Sequence, residues 1–523
     1  VGELKLGLFL SLFAAVSGCQ SPPSLKPDAT VVDGPAGPGD VGVGTDRADV
    51  AVVDVGPDAS EEVKFTRIVS GGIDDRLNGY PWAMELFDGD KDGTPEVYVG
   101  TVQNPLCTQT GLIAWFLEPL TPKPPKRWQC RNDLWGDWLA YFAASATAGH
   151  VYRGVRDDST GTFSWTRVFS PAKEDSSGFR GARVFDNALY MLGFNLSGGV
   201  VWKSVDGENY VKASPPGMSM GTKLIAGGLR GAQVFKGKLY VANNGICEIY
   251  ASAAPSTAPG SWGKVNDTGF VMSGGATNAA GKPLNEGIWQ LGVFDGQLYA
   301  GTTNAEGSEL WRSDDPKPGN WTKVIAGGFG NTVPQGFMTV RPYGGHLYLG
   351  TVLYPGLATT YEGCDILRVD ASDKVELLVG KTRDPGLPSE IAPLSKMGDG
   401  FGYHFNVYAW YMAEHKGHLY VGTYDAGSQA IDYAEELFGK PLDEWTETEH
   451  GLIDLLLGTS DHARQGGADF YRTKDGISWE ALTLDGFGDR DNYGVRNLLD
   501  TPWGLMVGVG NAVDGFEIWL GAL

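Results

Sequence analysis

The hydrophobic pattern is clearest between Trp289 and Gly328, where four short apolar runs alternate with polar turns. WQLGVF and QLYAGT are separated by Asp295-Gly296, a dipeptide suited to a tight hairpin turn. ELWRS follows a polar turn, and WTKVI follows a Pro/Gly turn. Each run alternates, or is rich in β-branched and aromatic residues, so each predicts a strand. One such four-stranded sheet cannot bury both faces alone, so copies must stack on one another.

Copies are present. An apolar residue followed by Tyr marks second strands at Val97-Tyr98, Val151-Tyr152, Leu189-Tyr190, Leu239-Tyr240, Leu298-Tyr299, Leu347-Tyr348 and Leu419-Tyr420, with Leu505-Met506 as a degenerate copy. Trp128, Trp165, Tyr210, Trp262, Trp321 and Trp479 mark fourth strands, and Val375–Leu378 is a weak copy. The units predict an all-β fold, an eight-bladed β-propeller with a seven-bladed ring as the alternative. The last unit stops after its third strand, Glu517-Ile518-Trp519. Phe65–Gly72 (FTRIVSGG) matches the fourth-strand segment Trp321–Gly328 (WTKVIAGG). The N-terminal strand is therefore expected to pair with the C-terminal blade and close the ring, which removes two open edges.

Three insertions interrupt the repeat, at 352–363, 381–407 and 426–467. SQAIDYAEELF (Ser428–Phe438) and Leu452–Leu457 have helical character, so the third insertion predicts a cap. All three fall on one end of the ring, which makes that end the expected functional face.

Residues 1–63 have a different character. Lys5 precedes the apolar run Leu6–Val16, which is too short for a membrane span and reads as a targeting segment over 1–18. Val16-Ser17-Gly18-Cys19 resembles the bacterial lipobox, the alternative being an ordinary signal peptide containing a cysteine. The resemblance implies lipidation of Cys19 and, with Gln20 next, an outer-membrane location facing periplasm or cell surface. Residues 19–63, rich in Pro, Gly and Asp and devoid of aromatics, read as a disordered tether. The membrane is then a partner only through the lipid, and a monomer is expected. The formal charge of −22 argues against a nucleic-acid partner.

Ser204-Val205-Asp206-Gly207 with Tyr210, and Thr473-Lys474-Asp475-Gly476 with Trp479, resemble the sialidase Asp-box, one residue short before the aromatic. Ser313-Asp314-Asp315 with Trp321 is a looser copy. In sialidases this box is a turn remote from catalysis, so the resemblance implies fold alone; the sialidase Phe-Arg-Ile-Pro motif is absent. Residues 64–523 also resemble bacterial surface propellers built on LYVGT repeats, a likeness that implies no activity.

Candidate chemistry is sparse. Asp88, Asp90, Asp92, Thr94 and Glu96 have the spacing of an EF-hand-like or integrin-type loop and can supply oxygens to a structural calcium ion; a solvated turn is the alternative. Cys107 and Cys130 are expected to pair, whereas Cys247 and Cys364 are left open. Aligning the repeats gives three columns: Trp82, Phe142, Arg180, Arg230, Trp289, Met338, Trp410 and Arg496 in first strands; residues including Asn195, Asn304 and Asn511 after second strands; Glu248, Glu309, Asp365, Asp469 and Glu517 opening third strands. Indoles suit sugar C–H faces, guanidinium forks suit carboxylates, and asparagines suit hydroxyls. These columns give Trp82, Arg180, Arg230, Trp289, Trp410, Arg496, Asn195, Asn304 and Asn511 as candidate ligand-binding residues, although repetition equally suits staples between blades. Tyr403, His404, Asn406, Asp461, His462 and Arg464 do not repeat. His404, His462, Asp425 and Asp461 are the candidates for general acid and base. The expected function is binding of a glycan, more so an acidic one, or of a surface protein. The alternative is a carbohydrate-active hydrolase or lyase.

Overall fold

A computed structural model describes residues 63–108, 110–111, 123–137, 140–141, 147–195, 198–219, 228–353, 362–457 and 466–522. The targeting segment, tether and Cys19 lie outside the described residues. The fold is all-β: antiparallel strands arranged, among the described residues, in seven four-stranded units. The first strands are Asn78–Phe87, Gly178–Phe185, Leu229–Phe235, Gly287–Phe294, Gly336–Tyr343, Asn406–His415 and Asn492–Thr501. Each lies against the first strand of the next unit, and the seventh lies against the first, so the units form a closed ring around an axis.

Closure comes from the two ends of the chain. Lys64–Val69 pairs antiparallel with Glu517–Ala522 as the fourth strand of blade seven, with Phe65 opposite Gly521 and Thr66 opposite Leu520. Arg67 reaches Glu517 at 2.6 Å and lies over the Trp519 ring.

The expectation of eight units is corrected to seven. Val151-Tyr152 is no second strand of a separate blade. It pairs with Val99-Gly100 as the third strand of blade one, and Trp165 follows on that blade's fourth strand. The segment between Gln103 and Val151 mimicked an extra repeat because it carries Trp128, which sits in a short 3-10 turn and is buried. Phe142 lies outside the described residues.

Packing between blades accounts for the LYVGT pattern. The tyrosines Tyr98, Tyr190, Tyr299, Tyr348 and Tyr420 are essentially fully buried. The following glycine sits where the next blade's first strand presses hardest. A Cβ on Gly100 would lie 2.6 Å from Cβ of Phe179, and one on Gly301 or Gly350 at the same distance from Phe337 or Ala409. The Asp-box-like turns serve the same junction. Asp206 accepts the amides of Glu208 and Asn209, Asp475 accepts those of Ile477 and Ser478, and a Cβ on Gly207 or Gly476 would overlap the hydroxyl of Tyr98 or Tyr348 from the preceding blade.

The third insertion folds into helix α1 (Ala426–Phe438) and helix α2 (Glu447–Leu457). Asp425 caps α1 by accepting from the amides of Gly427 and Ser428. Ala430, Ile431 and Ala434 then pack into an apolar cluster with Tyr80, Trp82, Trp289, Trp410 and Tyr493, across one end of the axis. The Cys107–Cys130 disulfide holds a second loop there. From that loop, Arg127 pairs with Asp432 at 2.7 Å and Asp491 at 2.6 Å, while the Trp128 indole N–H donates to Asp432. The insertion-bearing end is thus filled by its own side chains.

Candidate functional site: an arginine-floored axial channel

Every first strand carries a register shift at one equivalent place. In blade four Ile288 pairs with Thr302 and Gln290 with Gly301, which leaves Trp289 unpaired. The same bulge leaves out Trp82, Arg180, Met338, Trp410 and Arg496, and in blade three it takes in Arg230 with Gly231. A bulge re-aims a side chain and sharpens local twist. Here it gathers the first sequence column into a single belt around the axis.

Belt members stack on one another. The Arg180 guanidinium lies 4.6 Å from the Trp82 ring and 4.0 Å from Phe194; Arg230 lies 4.6 Å from Trp289; Arg496 lies 5.9 Å from Trp82 and 5.3 Å from Trp410. Trp82, Trp289 and Trp410 are all more than nine-tenths buried. Their faces meet arginines and other aromatics, so they are held as part of the ring.

On the side of the belt away from the cap lies a cavity of about 300 Å³. All seven first strands line it, with Arg180, Arg230, Met338, Trp410 and Arg496 at its floor. Further along the strands stand Arg183, Arg341, Glu85, Glu414 and Asp500, the last two exposed. The lining therefore carries five arginines against three acids in a strongly acidic protein. Toward the open end the charges are partly matched: Arg183 lies 3.7 Å from Glu85, Arg341 donates to the Met412 carbonyl and Tyr411 hydroxyl, and Asp500 lies 2.6 Å from His415 Nδ1. Burial raises the Glu85 carboxyl above its ordinary range, with Arg183 opposing. Sequence reasoning missed these five charged residues; their signal was a charge three or four places beyond the belt position of an otherwise apolar strand.

The floor differs. Arg496 is 2% exposed, and its Nε and Nη2 meet no hydrogen-bond partner. It forms no ion pair among the described residues. Burial, then the charge of Arg230, lowers its pKa well below the guanidinium range.

The acidic column does not neutralise these arginines. Glu248 pairs with Lys264 at 3.1 Å, Glu309 with Lys323 at 2.7 Å, Glu517 with Arg67 and Asp365 with Arg383 at 2.6 Å. The same acids take amide donors from Asn285, Asn331 and Asn492, and Asp469 takes one from Asn406. Asn304 and Asn511 belong to these networks: each is buried, donates to the asparagine at its own blade's entrance, and accepts backbone amides. Asn195 donates to the Lys173 carbonyl. Asn304, Asn511 and the third-column acids are thus gathered into buried staples, Asn195 is half-buried in a loop contact, and only the first column reaches the cavity.

Of the candidate acid and base groups, Asp425 is fully buried and engaged in capping α1. Burial, reinforced by Asp469, raises its pKa to about 7. His404 is half-buried with its ring 4.6 Å from that of Phe405, on the capped side. Asp461 and His462 lie outside the described residues, as does Arg464.

At the first hairpin, one carboxylate oxygen from each of Asp88, Asp90 and Asp92 lies within 4.8 Å of the others, a separation that fits a shared cation. Glu96 is buried apart from them, accepting the Gly89 amide with its other oxygen 3.8 Å from Arg153. Cys247 and Cys364 are buried free thiols. No helix among the described residues is long and apolar enough to cross a membrane.

No protein-family model matches the chain, and no curated protein matches it. Among solved structures it is similar to the computationally designed Ika8 protein, at 9% identity over 87% of this chain and 99% of that one, with a TM-score of 0.36. It is also similar to a putative 6-phosphogluconolactonase from Bacteroides fragilis NCTC 9343, at 10% identity over 70% and 89% of the two chains and a TM-score of 0.36. The corresponding protein from Bacteroides uniformis ATCC 8492 gives 10% identity over 65% and 77%, with a TM-score of 0.34. Likenesses this distant leave the functional reading to the residues of this chain.

Proposed function

We propose that this protein is a ligand-binding β-propeller that takes an acidic saccharide, or the end of an acidic glycan, in its axial channel. One observation carries the reading: a cavity about 300 Å³ in volume lined by five arginines in a chain of net charge −22. Long-range repulsion from the acidic surface is screened over about 8 Å at physiological salt, so arginines at the channel wall govern the encounter. The carbohydrate class rests on polar channel walls, Gln290 and Asn497 among them, which suit hydroxyls. Lipid on Cys19 would hold the ring at the outer membrane through the tether. Binding is favoured over catalysis because Asp425 is committed to a helix cap and His404 stands on the capped side. The test is a panel of acidic and neutral oligosaccharides scored for both binding and product release. Saturable binding of acidic members without release of product is expected; binding of neutral members alone would overturn the reading, and product release would make the protein an enzyme.

A further inference from the structure

We propose that the channel floor is an oxyanion seat in which Arg496, flanked by Arg180 and Arg230, receives one carboxylate entering from the uncapped end of the ring. The proposal rests on the reading of the channel as the ligand site and specifies the group that anchors the ligand. Arg496 is set up for such a partner. Its guanidinium carbon lies over the Trp82 ring at 5.9 Å and over the Trp410 ring at 5.3 Å, which holds the group at the floor of the channel. Nε and Nη2 have no acceptor and are closed to water by the side chains around them, so a carboxylate reaches them only as those floor side chains part. Two parallel N–H bonds from one guanidinium edge are the geometry in which arginine grips a carboxylate. Buried polar groups in folded proteins are rarely left without partners, and a bound ion is one ordinary reason for an apparent exception.

No carboxylate among the described residues pairs with Arg496. The acids of the third-strand column are occupied by Lys264, Lys323 and Arg67. Burial first, and then the like charges of Arg230 and Arg180, disfavour the charged form of Arg496, and an entering anion offsets those like charges. The cap closes the other approach, because Ala430, Ile431 and Tyr493 fill the axis beyond the tryptophans. Glu85, Glu414 and Asp500 stand along the entry side. Arg183 and Arg341 stand at the same level, and Glu85 and Asp500 are already paired with Arg183 and His415, so the entry carries both signs and the anchoring carboxylate is chosen at the floor.

The full chain is titrated at pH 7 and constant ionic strength with glucuronate, glucose and acetate, followed by calorimetry and tryptophan fluorescence. Glucuronate should saturate, acetate should bind more weakly, and glucose should give no saturable heat. Arg496→Gln should weaken glucuronate at least tenfold, and Arg496→Lys, which keeps charge but lacks the fork, should fall between. Absence of saturation by both glucuronate and acetate on the wild-type chain would overturn the seat whether or not the variants fold. Unchanged glucuronate affinity in folded Arg496→Gln would do the same. If acetate and glucuronate bind equally in an Arg496-dependent way and no oligosaccharide binds, the seat stands and the saccharide reading fails. If acidic oligosaccharides bind regardless of Arg496, the saccharide reading stands and the seat fails.

Discussion

The belt makes a graded prediction at Trp410 and Gly494. Trp410 is nearly fully buried, edge-on to Tyr80 at 5.4 Å and to Tyr424 at 4.8 Å, with Arg496 over it. Truncation to alanine should cost about 4 kcal/mol, as buried aromatic-to-alanine changes generally do. Gly494 opens the next blade, and a Cβ placed on it would overlap the Trp410 ring. Gly494→Ala alone therefore overpacks the junction, at about 3 kcal/mol. In the double variant the added methyl enters space vacated by the indole, so the overpacking cost disappears and the total returns to about 4 kcal/mol. The expected coupling is about 3 kcal/mol, read from urea unfolding with circular dichroism and checked for a constant slope. At the equivalent pair, Gly178 and Trp82, ring carbons lie at 2.9 and 3.0 Å from the added Cβ, so the coupling there should be smaller, about 1 kcal/mol. Additivity within about 0.5 kcal/mol at Gly494 and Trp410 would refute the argument that belt residues are wedged onto the next blade's opening glycine.

Three further outcomes follow from features outside the belt. Calcium at a hundred times its dissociation constant should stabilise the fold by about 2.7 kcal/mol, and Asp90→Ala should remove that gain; identical melting with and without chelator would leave the loop a turn. Deleting residues 64–72 should expose the Glu517–Ala522 edge and cause aggregation, visible by light scattering, whereas deleting 20–60 should leave melting unchanged. Asp425, with a folded pKa of about 7, adds stability that is complete below its unfolded pKa near 4 and is lost as pH rises through 7. The stability difference between wild type and Asp425→Asn should therefore favour wild type most at pH 4 and least at pH 8; a difference independent of pH would contradict the buried, proton-holding cap.

Much of the architecture was legible because blades repeat. The Tyr of each second strand and the FTRIVSGG match identified both the sheet unit and the strand that closes the ring. Blade number was misread because the insertion after Gln103 supplied an aromatic at Trp128 and delivered a real strand, Val151-Tyr152, out of register with the pattern. The first column was visible as a column, but periodicity shows only that residues are equivalent. It says nothing of whether they face solvent, each other or a cavity. Bulges decided that, and a bulge leaves almost no mark beyond one extra residue per strand. Separating seat from staple needed the partners themselves: Asn304 and Asn511 resemble hydroxyl ligands in sequence yet are committed to Asn285 and Asn492.

Ring closure also sets a clock on synthesis. Arg67 and Glu517, which meet in the final blade, are 450 positions apart in sequence. At ordinary translation speeds of about 5–20 residues per second, the closing strand emerges roughly 20–90 s before its partner exists. During that interval six blades can assemble in order, each from contiguous chain, while Phe65, Ile68 and Val69 wait with no sheet to join. Lys64 and Arg67, interleaved with those apolar residues, are the kind of charge that discourages a waiting strand from pairing with a neighbour's. The last step of folding is therefore the one with the longest loop to close, and any fault that delays the C-terminal blade extends the life of an open ring.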